Sequence, residues 1–113
     1  MKRRHLIVAP RASDEIEGAL SISIERWGVA QARRYAELIA ETLELLKTHA
    51  ELGHARPDIH REARLMPIAK RGVRARHWLL YRIVDDVVQV ARCVHGARAM
   101  EVSDDWDGPP SGS

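Results

Sequence analysis

Two stretches of helical periodicity meet across a single glycine. Ile16, Leu20, Ile24 and Trp27 recur at three- and four-residue spacing, and Ala32, Tyr35, Ala36, Ile39, Leu43, Leu46 and Ala50 do so again, with Gly28 closing the first series. A glycine stops a helix by turning its backbone to positive φ, which leaves the chain free to reverse at once. The spacing therefore predicts helices over about Ala12 to Arg26 and about Val29 to His49, folded back as an antiparallel hairpin. Pro10 suits the first turn of the first helix, and Asp14, Glu15 and Glu17 place negative charge in its opening turns, where the helix dipole favours it. Each helix carries one apolar stripe, so the pair needs a second layer to cover.

That layer is a sheet. His5 to Ala9 is a short apolar run ended by Pro10, the pattern of a strand. Beyond the loop Leu52 to His60, which holds Gly53 and Pro57, the period changes from helical to extended. Arg64 to Ile68 is a short strand whose Pro67 argues for an edge or a bulge. Arg74 to Val84 alternates, with Ala75, His77, Leu79, Tyr81 and Ile83 on one face and Arg74, Arg76, Trp78, Leu80 and Arg82 on the other. Asp85-Asp86 turns the chain into Val87 to His95, which is apolar on both faces and so belongs inside a sheet. The predicted order is β-α-α-β-β-β. The fold class is α+β, a helical hairpin packed on a mainly antiparallel twisted sheet, with the first strand joining beside a later one.

The core of such a fold is aliphatic here, since 45% of the 113 residues are apolar and none is Phe. Residues 1–100 are expected to form one domain and 101–113 an acidic, flexible tail without periodicity. Cys93 is the one cysteine and reads as a buried, inert thiol, which fits a reducing compartment. No run approaches the roughly 20 apolar residues of a membrane span, and the basic N-terminus lacks a signal-peptide apolar region, so a cytoplasmic location is expected. The formal charge is only +2, but it is unevenly spread. Arg61, Arg64, Lys70, Arg71, Arg74, Arg76 and Arg82 face one acid, Glu62, between positions 61 and 82, while Glu101, Asp104, Asp105 and Asp107 crowd the tail. The basic block suits an acidic partner or the acidic tail itself.

Catalytic constellations are sparse. The six histidines show no metal-ligand spacing, and no cofactor is expected; Ser13, Ser21 and Ser23 stand without an elbow glycine, and the glycines form no phosphate loop. The arginines either form a recognition surface through charge-assisted hydrogen bonds or simply keep a strand edge solvated. Tyr35 and Tyr81 suit core or rim packing, and Trp27 a helix-end anchor.

Several of these segments resemble the ParE/RelE superfamily of bacterial toxins, over about Val8 to Arg98. The motifs are Ala9-Pro10-Arg11-Ala12 with Asp14, Trp27-Gly28 followed by Gln31-Ala32 and Tyr35, Leu52-Gly53 with Arg56, Asp58 and Arg64, His77 to Arg82, and Val90 with Arg92 to His95. Two activities are implied. RelE-like members cut messenger RNA on the ribosome with phosphate-stabilising cations and a C-terminal tyrosine or histidine. Here Val102 and Ser103 stand near the place of that tyrosine and Trp78 where a phosphate-binding arginine is expected, although Arg98 and His95 remain. ParE-like members carry a similar histidine and poison DNA gyrase by binding.

The resemblance therefore implies a non-enzymatic toxin of a type II toxin-antitoxin system, a gyrase inhibitor neutralised by a ParD-like antitoxin in a hetero-oligomer, with ribosome-dependent RNA cleavage as the alternative. Arg64, Arg76, Tyr81, Arg82, His95 and Arg98 are expected on or beside the working surface. No membrane contact and no direct sequence-specific DNA binding are expected.

Overall fold

A computed structural model describes residues 3–70, 72 and 74–96; Arg71, Arg98 and the tail of 101–113 lie outside the described residues. The chain runs β1 (His5–Val8), α1 (Pro10–Trp27), α2 (Val29–Thr48), a 3₁₀ turn (Ala50–Leu52), β2 (His54–Ala55), β3 (Arg64–Ile68), β4 (His77–Val84) and β5 (Val87–His95). The five strands form one sheet in the order β1-β5-β4-β3-β2. β1 runs parallel to β5, and every other neighbour is antiparallel.

The hairpin turns on Gly28, as its position between the two periodicities predicts. Its φ of 87° and ψ of 169° form a conformation that glycine alone adopts without strain. It is not the left-handed helical geometry of the common glycine stop. Gly28 N–H still donates to Ile24 O at 2.9 Å, closing α1, while its own carbonyl accepts Ala32 N–H at 3.1 Å and opens α2.

The stripe of α2 is buried as expected, with Ala32, Ile39 and Leu46 inside, and Ala50 is buried just beyond it in the 3₁₀ turn. The stripe of α1 is not the expected one. Ile24 and Trp27 are 47% and 49% exposed, and the buried positions are Ala12, Ala19 and Ser23, with Ile16 and Leu20 packed beside them. Steps of four residues rotate 40° further round a helix each time, so Ile16, Leu20 and Ile24 drift off the sheet, while 12, 16, 19 and 23 hold one line. Small residues carry the contact. α1 also starts at Pro10, two residues early, so Asp14, Glu15 and Glu17 fall beyond its first turn.

The main core lies between hairpin and sheet, where Leu79, Tyr81, Val88, Val90 and Cys93 meet Ala12, Ile39 and Leu46. The opposite sheet face is covered in part by the segment before β3, since Ile59 and Ala63 pack with Leu65, Trp78, Leu80, Ala91 and Val94. This second cover is why β5 is apolar on both faces. An irregularity opposite Leu80 and Tyr81 leaves Ala91 as an extra residue in β5, because Leu80 pairs with Arg92 but Tyr81 with Val90. β2 lies within the stretch expected to be loop and pairs only with Arg64 and Leu65. Pro67 thus sits on the uncovered part of β3, as an edge proline should.

Candidate recognition face

At the Gly28 end of the hairpin, five side chains converge from both helices and the last two strands. His77 opens β4 and pairs in register with His95 at the end of β5, their rings meeting edge to face at 5.1 Å. Tyr35 of α2 reaches down so that its hydroxyl lies 2.6 Å from His77 Nδ1. Arg76, the residue before β4, lays its guanidinium 4.2 Å from the centre of the Trp27 ring at the end of α1.

Burial sets the protonation here. It pushes the Tyr35 hydroxyl up to about 12, so the group keeps its proton and donates. It pushes the His77 imidazole below its ordinary value, helped by His95 and Arg76, so the neutral ring accepts at Nδ1 and carries its proton on Nε2.

These residues line a cleft of about 300 Å³ with Ile22 on its apolar wall and Arg26 at its rim. Across Tyr35 and Arg76 lies a second cleft of about 220 Å³, floored by Leu38 and Ile68 and edged by Arg34, Lys70 and Arg74. Among the described residues no carboxylate lines either one. Several cations elsewhere are neutralised: Arg3 by Glu44, Arg56 by Asp58, Arg82 by Glu62 and Arg92 by Glu15. Arg26, Lys70, Arg74 and Arg76 have no such partner among the described residues, and exposed Ile22 and Trp27 line the cleft with Arg26 and Arg76. The face is both cationic and apolar.

Of the residues expected at the working surface, Arg76 and His95 meet here. Arg98 lies outside the described residues. Arg64 and Tyr81 converge on a different place, the 3₁₀ turn. Tyr81 is fully buried, donates to Ala50 O and accepts Gly53 N–H at 3.0 Å, while Arg64 Nη1 donates to the carbonyls of Glu51 and Gly53. Arg82 is 6% exposed on the far side of the sheet, donating to Gln89 at 2.7 Å and Glu62 at 3.3 Å. The basic strands are therefore not one surface, because alternation sends neighbouring arginines to opposite faces and acids claim several of them.

Two functional details escaped the motif reading. The Tyr35 to His77 bond had one partial signal, the place of Tyr35 on the α2 stripe and of His77 on the strand face it shares with Leu79 and Tyr81. Glu15 carried no such signal: its carboxylate bonds Arg92 at 2.8 Å and accepts Cys93 N–H at 3.0 Å, tying α1 to the length of β5 that β1 does not cover. Cys93 beneath it is buried, and burial with the nearby Glu15 charge pushes its thiol up to about 12, so it is inert.

No helix among the described residues is long and apolar enough to cross a membrane, and no cluster of three metal-ligating side chains occurs among them. No curated protein matches the chain. A chain described as the chromosomal ParDE toxin-antitoxin system from P. aeruginosa shares the fold, with a TM-score of 0.67 and 17% identity over 82% of this chain and 96% of that one. Residues 6–100 match the family model described as the ParE toxin of the type II toxin-antitoxin system parDE. That match spans the hairpin, the sheet and the cleft between them, and by it the chain belongs to the ParE toxin family.

Proposed function

We propose that this protein is a cytoplasmic toxin that acts by binding rather than by catalysis, holding DNA gyrase through the cationic and apolar face around Trp27 and Arg76 until a ParD-like antitoxin covers that face. The observation that carries this reading is the set of cations without carboxylate partners among the described residues beside the exposed Trp27 indole and Ile22. Aromatic and arginine anchors of this kind concentrate binding energy at protein interfaces. An antitoxin segment that folds on binding would meet both the charge and the apolar wall. Purified toxin should inhibit gyrase supercoiling in a dose-dependent way, and added antitoxin should restore it. Full supercoiling at saturating toxin would end the gyrase assignment.

One observation favours a second reading. Tyr35, His77 and His95 stand in hydrogen-bond and ring contact next to Arg76, a proton-carrying cluster beside a guanidinium. That is the equipment of RNA cleavage, with Arg76 on the phosphate and His95 exposed to a substrate. His95→Ala should then abolish cleavage of messages on translating ribosomes while leaving the fold intact. Uncleaved messages with the wild-type protein would exclude this reading.

A further inference from the structure

Arg76 and His77 are neighbours in the chain, and each holds a different helix of the hairpin. Arg76 stacks on Trp27 of α1 at 4.2 Å, and His77 Nδ1 accepts the Tyr35 hydroxyl of α2 at 2.6 Å. The sheet fixes their backbone, since Gly96 N–H donates to Arg76 O at 3.0 Å and His77 pairs in register with His95. A new charge at position 77 must therefore be answered by side chains. Among the described residues, those around the ring are poorly suited to receive one. Tyr35 of α2 keeps its proton, β5 brings His95 at 5.1 Å and the protonated thiol of Cys93, and α1 brings Arg26. β3 sets Ile68 opposite, with Lys70 two positions on, and the segment leading into β4 itself carries Arg74 and Arg76. One carboxylate, Glu15 of α1, lines the neighbouring groove with His77, but Arg92 Nη2 holds it at 2.8 Å and Cys93 N–H at 3.0 Å.

We infer that His77 is the positioning residue of the recognition face and works as a proton-sensitive latch: neutral, it holds Tyr35 and leaves Arg76 seated on Trp27; protonated, it releases Tyr35 and drives Arg76 off the indole. A proton on Nδ1 turns the acceptor into a donor, so the Tyr35 hydroxyl meets it with its own hydrogen. The imidazolium then stands beside the Arg76 guanidinium, and like charges this close repel. Arg76 gives way because it is exposed and a cation–π contact over a ring 49% exposed is a weak tether. This latch rests on the reading of the face as the binding surface and adds the condition under which that surface is assembled. His77 need touch no partner, since it acts through Arg76. A partner that requires the seated guanidinium binds the neutral form, so its affinity falls by up to about tenfold for each pH unit below the His77 midpoint.

Titration of the free full chain from about pH 7.5 to 5 by NMR tests this, and with no partner present the result stands apart from the gyrase assignment. The His77 ring, the Arg76 Nε–H and the Trp27 indole N–H should shift together with one midpoint below 6.5, and the shift should be about 90% complete one pH unit further down. The Arg76 and Trp27 shifts should vanish in His77→Asn, whose side-chain carbonyl can still accept from Tyr35 but takes no charge, and should persist in His95→Asn. Arg76 and Trp27 resonances that stay still while the His77 ring titrates would overturn the inference. So would shifts that survive His77→Asn or disappear in His95→Asn, since His95 would then be the latch. Loss of β4 and β5 amide dispersion at the same midpoint would overturn it too, because His77 would then hold the fold rather than the face. Should His77→Asn fail to fold, His77→Gln takes its place with the same two outcomes. If neither folds, the wild type decides alone: Arg76 shifts that follow the His95 ring instead of the His77 ring would overturn the inference.

Discussion

Tyr81 shows how a side chain that carries the family pattern can serve the fold. Its ring fills the core, and its hydroxyl both donates to Ala50 O and accepts Gly53 N–H, closing the turn that leads from α2 into β2. Gly53 is required by that approach, since a Cβ there would lie 2.1 Å from the hydroxyl. Tyr81→Phe should lower unfolding free energy by about 1–3 kcal/mol, because two buried backbone groups lose their partner; denaturant unfolding measures it, and a loss near zero would mean that water replaces the hydroxyl. His77 carries a pH dependence of known sign. Its folded pKa lies below the ordinary 6.5, so the unfolded chain binds more protons over that interval and stability falls as pH drops below about 6.5. The carboxylates held low, Glu44 and Asp58 by their cations and Glu51 first by its own backbone N–H and then by Arg4, act only further down, below their ordinary values of 4.5 and 3.8. Thermal melts from pH 7 to 5 should show the decline in wild type and a flatter profile in His77→Asn.

Elements were legible where one segment's own periodicity decides them. The Gly28 break, the stripe of α2 and the two-sided apolarity of β5 all rest on neighbours in sequence, and the structure has them in place. The stripe of α1 was misjudged because Ile24 and Trp27 are large while Ala12, Ala19 and Ser23 are small; packing against a sheet selects angular position first. The parallel pairing of β1 with β5, the extra residue Ala91 and the grip of Glu15 on Cys93 depend on residues far apart in the chain, and no local pattern encodes them. Two of the six residues expected at the working surface, Arg76 and His95, line the candidate cleft, and for the same reason. Arg76 and His95 fall together through register, whereas pairing with Gln89 and Glu62 draws Arg82 away from the surface. Gly28 is the element-scale test: Gly28→Ala should cost about 1–3 kcal/mol, since its backbone conformation is open to glycine alone. Urea unfolding measures this, and a cost below a few tenths would show that the hairpin re-forms with another turn.

Across the molecule, acids and carbonyls neutralise most of the basic strands and leave one face charged. Arg82 and Arg92 are held by Glu62 and Glu15, and Arg64 by carbonyls of the 3₁₀ turn, while Arg26 and Arg76 line the Trp27 cleft and Lys70 and Arg74 the cleft beside it. The sheet sets the register that joins His77 to His95, and the hairpin brings Tyr35 and Trp27 over them. Toxicity by binding to gyrase would follow from that face alone. The most direct measurement is the incorporation of labelled thymidine and labelled methionine after induction of the wild type and of Arg76→Glu in cells without antitoxin. Thymidine incorporation should fall first in the wild type, and both labels should stay at uninduced levels in the variant; methionine incorporation falling first, or an Arg76→Glu protein as toxic as the wild type, would contradict the account.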